Sequence, residues 1–149
     1  MQISSRFTIA SHILIVIALK AAEERVTSDY LAGSVGVNPV IIRKTLSQLK
    51  KAGLVSVTRG AGGADLTKNL EEISLLDVYQ AVESLGRTGQ LFSFHEHPNP
   101  DCSIGRNIHQ VLDDQLLKAQ TAMERQLAQT SLAQLVADAE DYIQAEGQG

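Results

Sequence analysis

The chain has one cysteine, no tryptophan, three prolines and only six phenylalanines and tyrosines together in 149 residues. A single thiol, Cys102, excludes an internal disulfide framework and suits a reducing compartment. Long apolar runs are missing as well. The longest, Ile13 to Leu19, has seven residues, against the roughly 20 needed to cross a bilayer. Arg6 before that run and Ala18, Ala21 and Ala22 after it raise the question of a signal peptide. Ser11 and His12 crowd the run, however, and no small-x-small cleavage pattern follows, so the expected location is the cytoplasm. No segment repeats.

What is present suits one domain and an appendage. At 44% hydrophobic and 20% charged residues, a chain of this size buries roughly 70% of its unfolded surface and needs no metal to hold a core. The net charge of −4 hides an asymmetry. Residues 1–68 carry nine Lys and Arg against four acids, and residues 69–149 carry four against thirteen. A front of +5 and a back of −9 follow, and the basic front invites a polyanion.

The front half is punctuated like two short helices joined by a tight turn. A first helix spans about Ser4 to Ala22, apolar on more than one side. Thr27 or Ser28 then caps a helix to about Val35, and Gly36 supplies its left-handed end. Asn38 and Pro39 read as an N-cap and a proline at the first helical position. The helix they open puts Ile42, Leu46 and Leu49 on one face and stops at Gly53. The pair is a helix-turn-helix. From Leu54 to Arg59 the period becomes two, with Val55 and Val57 alternating against Ser56 and Thr58. A glycine loop and a brief return at Ala64 to Leu66 complete a hairpin. Ser74 to Glu83 is a further short helix, with Asp77 placed to close a capping box.

The loop "RGAGGADL", Arg59 to Leu66, has rival readings. A phosphate-binding Walker loop needs Lys and then Ser or Thr after its last glycine, where Ala64 and Asp65 stand. A dinucleotide fingerprint needs a glycine at Asp65, whose carboxylate would face the pyrophosphate. Both fail. A hairpin tip that approaches DNA and a plain tight turn both remain, and the helix-turn-helix just before it favours the tip. On the second helix the apolar face leaves Val40, Lys44, Ser47 and Lys51 opposite, with Arg43 beside them. Recognition helices read bases with their first residues. Asn38, Val40, Arg43 and Lys44 are therefore the candidates near bases, with Ser47 and Ser28 in the same DNA-binding set and Lys50 and Lys51 as phosphate contacts.

Residues 84–105 hold two prolines and three glycines without a period. Loops of this length are usually functional or disordered. From about Ile104 the chain turns helical, with Ile108, Leu112, Leu116, Ala119 and Met123 in one stripe. A last helix follows, with Ser131 and Gln134 at capping-box spacing.

The run "LAGSVGVNPVIIRKTLSQLKKAGLVSVTRGAGGADL", followed by "ISLLDVYQAVE", resembles the Rrf2 family of bacterial winged-helix transcription regulators. The resemblance is strong over about residues 1–85 and looser through the long helix. It implies a mainly α fold with a small β-hairpin: a winged helix-turn-helix DNA-binding domain at 1–83, a sensing or linker loop at 84–105 and dimerisation helices at 106–149. It also implies recognition through Asn38, Val40, Arg43 and Lys44, a wing at Arg59, Gly62 and Gly63, and a homodimer joined by the stripe from Ile108 to Met123. Many relatives carry an aromatic where Ala64 stands, which leaves the inner packing of the wing open.

Relatives hold an iron–sulfur cluster on three cysteines in the loop before the long helix. One thiolate is a poor cluster site even with His95, Glu96 and His97 beside it. Zinc on His95, His97 and Cys102 lacks a standard spacing, and no cofactor or metal is expected. Catalysis by Cys102 with His97 or His109 lacks a group to orient the base, so no enzyme is expected. Cys102 is instead a candidate redox switch or an inert thiol, and a small ligand in the loop stays open. The expected function is a homodimeric, sequence-specific DNA-binding transcriptional regulator, a repressor acting on a palindromic operator. The alternative is a winged-helix module that binds a protein and no DNA.

Overall fold

The computed structural model describes residues 4–83, 90–92 and 94–148. Part of the expected sensing loop, 84–89 and 93, lies outside the described residues.

Helix α1, Ser5–Lys20, forms the centre of the body. Ala10, Ile13, Leu14 and Ile17 are buried, the i, i+3, i+4, i+7 spacing of a helix face. Phe7, Ile9, Ile15, Val16 and Leu19 pack around the same core. That breadth lets α1 touch α2, α3, α4, α6 and a strand of the hairpin.

Helices α2, Ser28–Val35, and α3, Pro39–Lys51, make the helix-turn-helix. The Thr27 hydroxyl accepts the Tyr30 N–H at 3.1 Å, satisfying one of the amides that a helix start leaves without a partner. Gly36 ends α2 at φ +79°. Asn38 caps α3 by accepting the Val40 N–H at 2.8 Å. Ile42, Leu46 and Leu49 are buried as their spacing predicts, joined by Thr45. Thr45 is tolerated there because its hydroxyl donates to the Ile41 carbonyl at 2.8 Å.

The hairpin pairs β1, Val55–Thr58, with β2, Gly63–Leu66, in antiparallel register from Val55↔Leu66 to Thr58↔Gly63. A single 3-10 turn, Gly60–Gly62, closes it. Period two holds, but only its inner end is covered: Val55 is 2% exposed and Val57 38%. Val57, nearer the turn, is the less covered of the two, although Ala64 opposite it is buried. Near the turn the hairpin is tied to the body by the Ala64 N–H, which donates to the Val26 carbonyl at 2.9 Å. Ala64 itself is 2% exposed. A small residue there packs closely, which answers the question raised by the absent aromatic.

Helix α4, Leu75–Val82, starts at a complete capping box. The Asp77 N–H reaches the Ser74 hydroxyl at 3.1 Å, and the Ser74 N–H reaches the Asp77 carboxylate at 2.9 Å.

The long helix α5, Ser103–Gln129, has 27 residues, about 40 Å at 1.5 Å per residue. It starts with Cys102 as its N-cap, slightly ahead of the position the sequence suggests. Its apolar stripe is divided between two surroundings. Ile108, Leu116 and Met123 are half-buried, whereas Leu112 and Ala119 are exposed. Gln120 is the one buried residue of α5, accepting the Leu91 N–H at 2.7 Å and donating to Glu124 at 2.8 Å.

The last helix, α6, Leu132–Gln148, returns to the body. Leu132 and Val136 join the core around α1. An isolated antiparallel bridge links Ser74 and Ser131. Within it the Leu132 N–H donates to the Ile73 carbonyl at 2.7 Å, and the Leu75 N–H to the Thr130 carbonyl at 2.9 Å. Half of the expected capping box forms at α6. The Gln134 N–H reaches the Ser131 hydroxyl at 3.2 Å, but the Gln134 side chain turns away to Asp138.

Candidate nucleic-acid interface

Burying one face of α3 fixes the opposite one toward solvent. Val40, Arg43, Lys44 and Ser47 are exposed there, and Lys50 and Lys51 are exposed in the last turn. The cations of that last turn also favour the negative end of the helix dipole. Arg59 is exposed in extended backbone at the foot of the 3-10 turn. Among the described residues, none of Arg43, Lys44, Lys50, Lys51 and Arg59 is paired with a carboxylate. Their donors are open to an anion.

Other predicted site residues have structural work of their own. Asn38 is exposed, but its carbonyl oxygen is engaged as the α3 cap. Ser28 is half-buried at the start of α2. Gly62 has no room for a side chain, since a Cβ would overlap the Thr58 side chain. Gly63 is buried at φ +83°, with Val26 N only 2.9 Å from where a Cβ would stand. Val26 and Ile41 were not singled out by the sequence. Val26 follows a charged run and shows no period, whereas Ile41 is apolar and 42% exposed beside Val40.

At the start of α5 the Cys102 sulfur accepts the Gly105 N–H at 3.5 Å. The backbone amides of Gly105 and then Ile104 hold the thiol pKa below its ordinary value, a little offset by desolvation. Gly105 is needed for this arrangement, because a Cβ would meet the Asn99 carbonyl at 2.9 Å. The folded chain thus favours thiolate. That contribution to stability is present above the pKa of the unfolded thiol and is lost as pH falls through the lowered folded value. Alkylation of Cys102 by iodoacetamide is expected to reach half its maximal rate at lower pH in the folded chain than in denaturing urea. Equal midpoints would mean that the amides do not act on the sulfur.

The other candidate chemistry of this region is not assembled. His97 approaches Glu96 at 3.9 Å, while His109 binds Asp113 at 2.9 Å and lies beside His95, ring centres 5.4 Å apart. Among the described residues no three His, Cys, Asp or Glu come together to hold a metal. His95, His97 and Cys102 are not grouped in this structure. His109 is oriented by Asp113, but it serves no assembled nucleophile.

A basic recognition helix beside a glycine-tipped hairpin, both presented by a helical body, defines a winged helix-turn-helix regulator. The family model described as "Iron-dependent Transcriptional regulator", Rrf2, matches residues 3–138, and the chain belongs to that family. It is a DNA-binding transcriptional regulator and not an enzyme. Among its relatives is a Bacillus subtilis (strain 168) protein named as an HTH-type transcriptional regulator, YwnA. It is 42% identical over 131 residues, spanning 88% of this chain and 94% of YwnA. A crystal structure described as that of a DNA-binding protein is 37% identical, with TM-score 0.70, covering 88% of this chain and 98% of its own. IscR of T. potens shares the fold at 22% identity and TM-score 0.70, covering 95% of this chain and 90% of IscR. The iron in the family description does not fit the residues here: one cysteine is present, and no described trio of donors converges. No described helix is long and apolar enough to cross a membrane.

Proposed function

We propose that the chain acts as a homodimeric repressor on a two-fold symmetric operator, with Cys102 tuning its affinity. The observation that carries this reading is the open cationic face of α3 together with the exposed Arg59 on the wing, whose strand β1 packs on α3. Two such faces read half-sites about 34 Å apart on one side of a duplex. The unpartnered side of α5 supports pairing: Ile104 is 73% exposed, Val111 67% and Leu112 38%. Contiguous apolar surface of this kind marks an interaction site. In this reading the segments 1–83, 84–105 and 106–149 bind DNA, sense and dimerise respectively.

Oxidation of Cys102 to a sulfenate, or to a disulfide with its copy in the other subunit, would remove the sulfur from its cap at the foot of α5. A map of bound genomic fragments with and without mild peroxide tests the scheme. Bound fragments are expected to share an inverted repeat, lost on oxidation in the wild type but kept in Cys102→Ser. Sedimentation should give twice the chain mass. A monomer at micromolar concentration would remove the role assigned to α5, and equal peroxide responses would remove that of Cys102.

A further inference from the structure

The first turn of a recognition helix reaches base edges, and in α3 that turn presents hydrocarbon. Val40 is 60% exposed and Ile41 42%. Val40 sits at the centre of the solvent face, one turn before Lys44 and diametrically opposite the buried Ile42 and Leu49 edge. Ile41 flanks it. Asn38, the polar side chain at this end, has its carbonyl oxygen held by the Val40 N–H. One of the two lone pairs that an asparagine would offer to an adenine amino group is thereby engaged, and the cap fixes the direction of the amide. Of the seven other large apolar residues that stand exposed, six lie on α5 and α6 and Val57 lies on the hairpin, so Val40 and Ile41 are the exposed apolar pair of α3. Arg43 and Lys44, three and four positions after Val40, flank it with cations that have no carboxylate partner among the described residues.

A major groove offers donors, acceptors and one apolar group, the thymine 5-methyl. A valine can make no hydrogen bond there. Its methyls gain by contact with another methyl and lose when an amino group or carbonyl is desolvated against them. The flanking cations meanwhile require the surrounding surface to be anionic, as phosphates are. A purely apolar protein partner would strand those charges.

We propose that Val40, flanked by Ile41, reads the 5-methyl group of thymine in each operator half-site, while Arg43 and Lys44 bind the neighbouring guanine or phosphate oxygens. This inference rests on the DNA-binding reading and adds the chemistry of its specificity. It predicts half-sites with a thymine one helical turn or less from the guanine or phosphate held by Lys44.

The test begins with duplexes selected from a random-sequence pool by the full chain. Each thymine in a selected duplex is then replaced by deoxyuridine, which removes the methyl and leaves every hydrogen-bonding group. Affinity is expected to fall about fourfold at a thymine in one half-site. With both halves of a symmetric site changed, the fall should be about fifteenfold. Val40→Ala should bind the thymine and uracil duplexes alike at that position. The substitution is on an exposed side chain, and unchanged thermal melting would confirm that it folds. Uracil tolerated at every position, or a full uracil penalty persisting in Val40→Ala, would overturn the inference while leaving DNA binding intact. If no duplex is selected at all, the DNA-binding reading falls and this inference falls with it.

Discussion

Gly63→Ala is expected to destabilise the chain by about 3 kcal/mol, lowering the melting temperature by about 10 °C. Two costs combine at this position. The backbone has φ +83° and ψ −175°, a region that is essentially glycine-only and costs other residues about 1–3 kcal/mol. The added methyl would also sit 2.9 Å from Val26 N and 3.1 Å from Val26 O. These are main-chain atoms and cannot rotate aside. Relief would require moving the hairpin off the body and lengthening the bond from Ala64 N–H to Val26 O, now 2.9 Å. Gly53→Ala separates the two costs. Gly53 also has a positive φ, +78°, but nothing lies within 4 Å of its would-be Cβ, so a loss of about 1 kcal/mol is expected. Urea titration of both variants checks the comparison, and equal losses would show that contact with Val26 contributes nothing.

Removing Arg43, Lys44 and Arg59 together, each to alanine, is expected to weaken operator binding by about a thousandfold. That is about tenfold for each cation, the low end for a well-made contact to a base. The three side chains are exposed, so stability should stay within about 0.5 kcal/mol of the wild type. A second measurement divides their roles. Log affinity against log salt should become shallower by about 0.9 for each of the three that neutralises a phosphate. A residue that reads a base edge instead lowers affinity for the operator more than for random duplex. Unchanged affinity and slope would move the interface elsewhere on the molecule.

The parts of this fold that are legible in the sequence are those closed within a few residues. Thr27, Gly36, Asn38 with Pro39, and Ser74 with Asp77 each make or terminate a bond to an amide or carbonyl two to four positions away. Side-chain chemistry and spacing suffice there. The open basic face of α3 follows from the same logic, since burying Ile42, Leu46 and Leu49 leaves one direction for Arg43 and Lys44.

Contacts between distant segments are not legible in this way. Gly63 reads as a residue bared for DNA, whereas its missing side chain makes room for the backbone of Val26. The stripe on α5 reads as one surface, yet α5 lies against α4 and the linker, where Gln120 bonds Leu91. That packing takes Ile108, Leu116 and Met123 toward the chain's own body and leaves Leu112 and Ala119 outside. A heptad-like period cannot tell which of two partners each residue will meet. The half-formed box at α6 is a further case, because Asp138 one turn on competes for the Gln134 amide.

The bridge between Ser74 and Ser131 is built from peptide groups, so among residue exchanges only a proline at Leu75 or Leu132, which removes the donating N–H, deletes one of its bonds outright. It clamps the exit of α5 to the entry of α4, close to the residues that orient α3. α4 packs on both α5 and α3, so the bridge links the position of α5 to that of the recognition helix through α4. In the proposed dimer, with α5 pairing the two chains, the placement of α5 would then bear on the spacing of the two recognition helices.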